Sequence, residues 1–250
     1  MYNKIYDLCK VRNIGSVYKN TGNPTPRVNF ILDLLISENI PFVVDKFLHN
    51  DSVICYNIIM KGSSNRMVVA HHDIVNHNTD NANDNSCSVI NAIMTKKLMP
   101  DLNVVILDGE EFGGMGSNRV SQQIKENYYG DIEWVLNYEL TGKGGKYFFI
   151  GNYPGKLSDH IKSIFNCPIV NTPFNDSVIF RRNGIDSVVI NPIPPLPINE
   201  SSIVKWDNDT FLDYNMLFNC HTYSDTIDTI DINDMKEFVE EVAIPILNKI

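Results

Sequence analysis

Apolar and polar positions along the chain alternate between two periods. Val28, Ile31, Leu32 and Leu35 fall at i, i+3, i+4 and i+7, which is one apolar helix face. Thr25-Pro26 just before them supplies a capping hydroxyl and a proline at the first helical position. Short apolar runs over 42–44 and 53–60 predict strands, the second long and solvated on one side. From Met67 the period switches regularly. A buried strand over 67–71 is followed by a helix over 86–99 with Val89, Ile90 and Ile93 inward. A second buried strand over 102–107 leads through a glycine-rich turn into a helix carrying Val120 and Ile124. Further strands are predicted over 132–139, 147–150 and 187–190, and helices over 155–165, 176–183 and 232–249. Strands alternating with helices imply an α/β sandwich around a mostly parallel sheet. In such sheets ligands collect beyond the carboxyl ends of the strands.

Composition narrows the partners. The 250 residues carry 21 Lys+Arg against 30 Asp+Glu, a formal net charge of −9. Nucleic acid and anionic membrane surfaces need a basic footprint, so neither is an expected partner. No stretch approaches the ~20 apolar residues of a membrane span. The first sixteen residues, MYNKIYDLCKVRNIGS, lack the continuous apolar core of a signal peptide, so the chain reads as cytoplasmic. A chain of this length can bury one large core, and a single domain over 1–250 is expected. Cys9, Cys55, Cys87, Cys167 and Cys220 are odd in number, widely spread and never spaced C-x-x-C, so free thiols are expected.

Five acidic and histidine clusters fall at the predicted strand ends and loops. AHHD (70–73) ends a buried strand; side chains alternate there, so His71 and Asp73 share a face and His72 leaves on the other. A histidine ligand needs its second nitrogen held by an acceptor, which a carboxylate two residues on can supply. Taken alone, the pair is more economically read as core or capping histidines. NANDNS (81–86) places Asp84 before a helix, where an N-cap is its commonest task. LDGEEFGGMGS (107–117) sets Glu110 beside Glu111 in a glycine-rich turn. Like charges repel in a poorly solvated crevice, and a bound dication removes that penalty. One acid can then ligate while its neighbour takes a proton from water. A solvated acidic turn accounts for the pair equally well. NYELTG (137–142) puts Glu139 at a strand end, and CHTYSDT (220–226) puts His221 in a polar loop before the last helix. Each cluster is bland singly; together their imidazoles and carboxylates suit zinc, with cobalt or manganese as alternatives.

The ordered clusters resemble the co-catalytic dizinc aminopeptidases of peptidase clan MH, which include leucyl-type aminopeptidases and glutamate-carboxypeptidase relatives. AHHD, NANDNS, GEEFGGMGS, NYE, DSVIFRRNGI and HTYSD stand in that family's order from about Met67 to Asp228. The resemblance implies a three-layer α/β sandwich with a mixed, mostly parallel eight-stranded sheet between helices. It implies that His71 and Glu139 bind one metal, Glu111 and His221 the other, and Asp84 bridges both. Glu110 would be the general base and Asp73 the partner that holds His71. The implied activity is that of a metal-dependent exopeptidase of the aminopeptidase type, acting on a peptide or small aminoacyl substrate through two divalent metals and an activated water.

Three positions depart from that pattern. Glu139 stands where the family usually has Asp, so its metal should sit looser. Ser177 follows Asp176 where a histidine is common. Cys220 precedes His221 where several members carry a tyrosine that steadies the intermediate; Tyr138, Tyr214 and Tyr223 are the candidate substitutes. His77 and His160 match nothing and read as surface histidines, and Pro192 to Pro197 reads as a rigid loop, either a wall of the substrate pocket or a surface turn. Two rivals share the fold: a single-zinc glutaminyl cyclase-like transferase, disfavoured by the intact His71, and a metal-free binding protein, disfavoured because no ligand is missing.

Overall fold

The computed structural model describes residues 1–12, 24–49, 53–75, 78–172, 174–193 and 220–248. Eight strands form one sheet: β1 (Val43–His49), β2 (Val53–Met60), β3 (Arg66–His71), β4 (Asn103–Leu107), β5 (Trp134–Tyr138), β6 (Phe148–Gly151), β7 (Ile169–Val170) and β8 (Asp186–Pro192). Their spatial order is β1-β2-β4-β3-β5-β8-β6-β7. The centre, β4-β3-β5-β8, is parallel throughout, while β2 meets β4 and β6 meets β8 antiparallel. The α/β, mostly parallel, eight-stranded expectation therefore holds.

Strand alternation sorts the core into two layers. Val68, Ala70, Val104 and Ile106 face one apolar cluster, and Met67, Val69, Val105 and Leu107 face the other. The first is covered by helices α1 (Ile5–Cys9), α2 (Pro26–Ser37), α3 (Cys87–Leu98) and α5 (Lys156–Ile164), together with a C-terminal helical run. That run comprises α7 (Ile232–Glu237), a π-helical segment (Phe238–Ala243) and α8 (Ile244–Asn248). The second is covered by α4 (Met115–Lys125) and α6 (Asp176–Arg182) through Val120 and Phe180. Each fully buried aliphatic or aromatic side chain contributes about 1.5–3 kcal/mol, so both faces are firmly held.

Local chemistry explains the boundaries. Thr25 Oγ1 accepts from the Val28 amide at 3.0 Å and Pro26 opens α2, as the sequence implies. The strand β2 is not solvated on one side. It lies between β1 and β4, and all six residues from Cys55 to Met60 are buried. The strand at 42–44 is longer than its apolar run, because β1 is an edge strand that pairs with β2 along its full length while exposing Val43 and Leu48. The opposite edge, β7, has two residues and no periodicity to read. The N-terminal turn at Tyr2–Lys4 and α1 were also not foreseen, although Ile5, Leu8 and Cys9 keep helical spacing and are buried.

The register aligns the carboxyl ends of the parallel strands. His71 pairs with Leu107 across β3 and β4, and Tyr138 pairs with Ile190 across β5 and β8. The loops that leave these ends carry the acidic and histidine clusters.

Candidate metal centre

At the end of β3 the chain splits its two histidines. His71 Nδ1 lies 3.2 Å from the Asp73 carbonyl and 3.4 Å from Asp73 Oδ1, two acceptors that hold a proton on Nδ1 and fix the ring. That Nε2 faces Asp84 Oδ1 at 3.2 Å and Glu139 Oε1 at 3.2 Å. His72 leaves on the opposite side, where its Nε2 lies 3.0 Å from the Tyr56 carbonyl. The predicted register of the AHHD strand is the observed one.

The turn after β4 is built for close approach. Gly109 (φ +76) and Gly114 (φ +71) take left-handed conformations that side chains rarely adopt. A Cβ on Gly114 would lie 2.6 Å from Ile179 of α6, so the turn packs against that helix. Asp73 fixes the turn from below: its Oδ1 accepts from the Glu110 amide at 3.1 Å and its Oδ2 from the Glu111 amide at 3.0 Å. Asp73 thus orients both glutamates as well as His71, a wider role than the sequence suggested.

Asp84 is not a helix cap. It lies in the turn Ala82–Ser86 with a non-helical backbone (φ −111°, ψ 88°), and no side chain caps α3. Its own amide donates to Asp225 Oδ2 at 3.1 Å and the Asn83 amide to Asp225 Oδ1 at 2.8 Å. One carboxylate from the HTYSD loop therefore grips two successive amides of the Asp84 loop and turns the Asp84 side chain inward. There Oδ1 faces His71, and Oδ2 faces His221 Nε2 at 3.2 Å. His221 Nε2 also lies 2.9 Å from Glu111 Oε2. Arg27, fully buried, supports the same floor by donating to the His72 carbonyl at 2.5 Å, the Leu8 carbonyl at 3.2 Å and Ser86 Oγ at 2.7 Å. Glu139 follows β5; its amide donates to the Ile190 carbonyl at 3.2 Å and its carbonyl accepts from Asn191 Nδ2 at 3.1 Å.

All seven sequence-predicted site residues thus converge: His71, Asp73, Asp84, Glu110, Glu111, Glu139 and His221. Sequence reasoning missed Asp225 and Arg27. The motif H-T-x-x-D held the signal for Asp225, whereas Arg27 sits in an ordinary amphipathic helix. Of the tyrosine candidates, neither described one contacts the centre. Tyr138 is buried with its hydroxyl 3.1 Å from Thr95, Tyr223 is 73% exposed, and Tyr214 and His77 lie outside the described residues. His160 is half-buried, not a free surface residue, and meets the Ile246 carbonyl at 3.0 Å. Of the proline-rich segment, Pro192 and Ile193 are described, neither lines the cavity discussed below, and the rest lies outside the described residues.

The electrostatics follow from five carboxylates crowding two imidazoles. Burial alone would lower the His71 pKa, but Glu139, Asp73 and Asp84 hold it well above its ordinary value. Asp84 and Glu111 push His221 up to about 10. Burial would raise Asp84, but its contacts with His221 and His71 hold it well below the usual carboxylate range. Burial pushes Glu111 up to about 7 and Glu110 up to about 10, with neighbouring carboxylates adding to both. Nothing but a proton or a cation relieves such crowding.

The donor set fits a divalent metal. Metal bonds of about 2.0–2.1 Å at tetrahedral angles separate neighbouring donors by about 3.3 Å. The four N···O separations around Asp84, at 2.9–3.2 Å, are close to that edge. Glu111 Oε1 and Glu139 Oε2 are buried with no hydrogen-bond donor, as expected of oxygens meant for a cation. A cavity of about 140 Å³ opens onto these groups, lined by Glu110, Glu139, Asp84, Cys220 and His221 and by the apolar Leu140, Phe149, Phe174 and Val189.

The model of peptidase family M28 matches residues 57–244, a span that holds every one of these donors. The chain belongs to peptidase family M28. Membership makes it a metallopeptidase of clan MH. Solved structures share the fold at low identity. The LapA aminopeptidase of Legionella pneumophila is 14% identical with a TM-score of 0.68, covering 98% of this chain and 70% of its own. BSAP, a zinc aminopeptidase from Bacillus subtilis, is 17% identical with a TM-score of 0.60 over 78% of this chain, which spans only 50% of BSAP. A glutaminyl cyclase from Bacteroides thetaiotaomicron, bound to N-acetylhistamine, is 18% identical with a TM-score of 0.69, covering 100% of this chain and 97% of its own. No curated protein sequence matches the chain. Among the described residues, no helix is long and apolar enough to cross a membrane.

Proposed function

We propose that this M28 member is an aminopeptidase-type exopeptidase that uses two divalent metal ions, zinc in the first place. One observation carries the reading: the two oxygens of Asp84 face two separate ligand sets, His71 with Glu139 and His221 with Glu111. His71, Glu139 and Asp84 Oδ1 would hold one ion, and His221, Glu111 and Asp84 Oδ2 the other. When bound, such ions polarise a carbonyl and lower the pKa of water.

The chain's own residues do the rest. Glu110 lines the cavity and its backbone is fixed through Asp73, which supports it as the group that would take the proton of the attacking water and return it to the leaving amine. Its raised pKa among carboxylates falls as positive charge accumulates nearby, which tunes it between base and acid. Leu140, Phe149, Phe174 and Val189 form an apolar wall suited to an aliphatic or aromatic substrate side chain, and Asn191 Oδ1, buried without a donor, offers an acceptor for a substrate N–H.

Cyclisation of an N-terminal glutamine is the second reading, favoured by the near-complete mutual coverage with the Bacteroides cyclase. The paired His71–Glu139 contact supports the two-metal alternative, because a single ion at Asp84, Glu111 and His221 leaves that pair without a task. Metal analysis of reconstituted protein, combined with a panel of free-amine aminoacyl, N-blocked and glutaminyl substrates, separates them. Two ions and release of free-amine residues support the peptidase; one ion and pyroglutamate formation overturn it.

A further inference from the structure

Cys220 stands where the family pattern offers no metal ligand, and its thiol points into the centre. Its Sγ lies 2.7 Å from Asp84 Oδ2, the same oxygen that faces His221 Nε2 at 3.2 Å. That separation is ordinary for an O–H···O hydrogen bond and close for the larger sulfur. Ligand atoms of Asp84, Cys220 and His221 all lie within 4.8 Å of one another. A second observation points the same way: Glu111, whose Oε2 contacts His221, carries a buried Oε1 that no donor satisfies. Four donors of three kinds, one sulfur, one nitrogen and two carboxylates, are therefore linked by contacts through Asp84 Oδ2 and His221 Nε2.

We propose that Cys220 is a thiolate ligand of the ion shared by Asp84 Oδ2 and His221. The inference rests on the two-metal reading above and gives its halves unequal duties. With Cys220 the His221 side has four protein donors, Asp84, Glu111, Cys220 and His221, the full complement of a closed tetrahedral site. The His71 side has three, Asp84, Glu139 and His71, which leaves a position for substrate. A thiolate also selects zinc over the harder manganese and magnesium. On ligation the thiol proton passes to the buffer as the sulfur–metal bond forms, with no change in oxidation state.

Cobalt reports on the ligands directly. Metal-free full-length protein is titrated with Co²⁺ and its absorption compared with that of Cys220→Ser. The first equivalent should produce a near-ultraviolet thiolate-to-cobalt charge-transfer band that is absent in Cys220→Ser. Zinc should shield Cys220 from alkylation, read by peptide mass mapping, at least tenfold more strongly than it shields Cys167, the other half-buried thiol. In Cys220→Ser the tighter metal affinity should fall more than tenfold, while cobalt still shows its visible d–d bands. Cobalt bound with d–d bands but no charge-transfer band in the parent protein overturns the ligand assignment and leaves the two-metal reading standing. No cobalt binding at all overturns both.

Discussion

Asp73→Asn exchanges one carboxylate oxygen for an amide NH2 at a position that is 4% exposed. The parent side chain accepts from the Glu110 amide at 3.1 Å and the Glu111 amide at 3.0 Å, and lies 3.4 Å from His71 Nδ1. Whichever way the asparagine amide turns, one of the two backbone N–H groups meets another donor. Losing one charge-assisted bond in a buried setting costs about 1.5–3 kcal/mol. At 1.4 kcal/mol per decade that is about 10- to 150-fold, in line with usual losses when a ligand's supporting partner is removed. Because the two amides belong to the proposed base and a proposed ligand, the loss should appear in both readouts. Turnover under saturating metal should fall through Glu110, and metal affinity at the His221 side through Glu111. His72→Ala is the matched control, since its ring contacts the Tyr56 carbonyl and its loss should lower the melting temperature while leaving metal affinity unchanged. Turnover and both metal affinities within twofold of the parent in Asp73→Asn would refute the role assigned to this carboxylate.

Glu110→Gln should remove hydrolysis while keeping the full metal content, because the amide preserves shape but accepts no proton; near-normal turnover would show that another group is the base. Glu139→Asp should weaken metal binding on the His71 side most, read by stepwise titration. Its backbone is pinned to Ile190 and Asn191, so the shorter side chain withdraws its oxygen from His71 by roughly one C–C bond, about 1.5 Å; a gain in affinity would mean the backbone yields. Burial pushes Asp176 and Asp225 up to about 7 and Asp108 up to about 6, all above the unfolded value of about 3.9. Carboxylates raised on folding favour the native state most at low pH, and that contribution is lost as pH rises through the folded pKa. The lowered Asp73 and Asp84 contribute evenly across the same window, and the raised histidines contribute fully up to about pH 6.5 and begin to lose it above, in the same direction. The urea midpoint of metal-free protein should therefore fall between pH 4.5 and pH 7, and a rise would count against these assignments.

How much of this was legible in the sequence depended on the range of the interaction. Buried central strands such as β3 and β4 announced themselves through unbroken apolar runs, and α2 through its cap and spacing. Edge strands did so only in part or not at all: of β1 only the start was readable, since the rest draws its order from pairing with β2, and β7 left no signal. At the centre, residue types and order were readable, but orientation was not. Asp84 has the local setting of a cap, and only the grip of Asp225, more than a hundred positions away, turns it inward. Tyr138 looked available beside Glu139, yet strand alternation sends its ring into the core against Phe238.

Asp84 also links the two halves of the centre thermodynamically. One carboxylate gives an oxygen to each histidine, so two dications bound as proposed would divide its single negative charge. The first ion to arrive takes the larger share, and the second meets a half-neutralised bridge and a neighbouring positive charge. Occupancy would then be negatively cooperative, and reciprocity requires that each ion weaken the other by the same factor. Replacing a ligand on one side therefore changes the affinity measured on the other, even where no atom of that other side has moved.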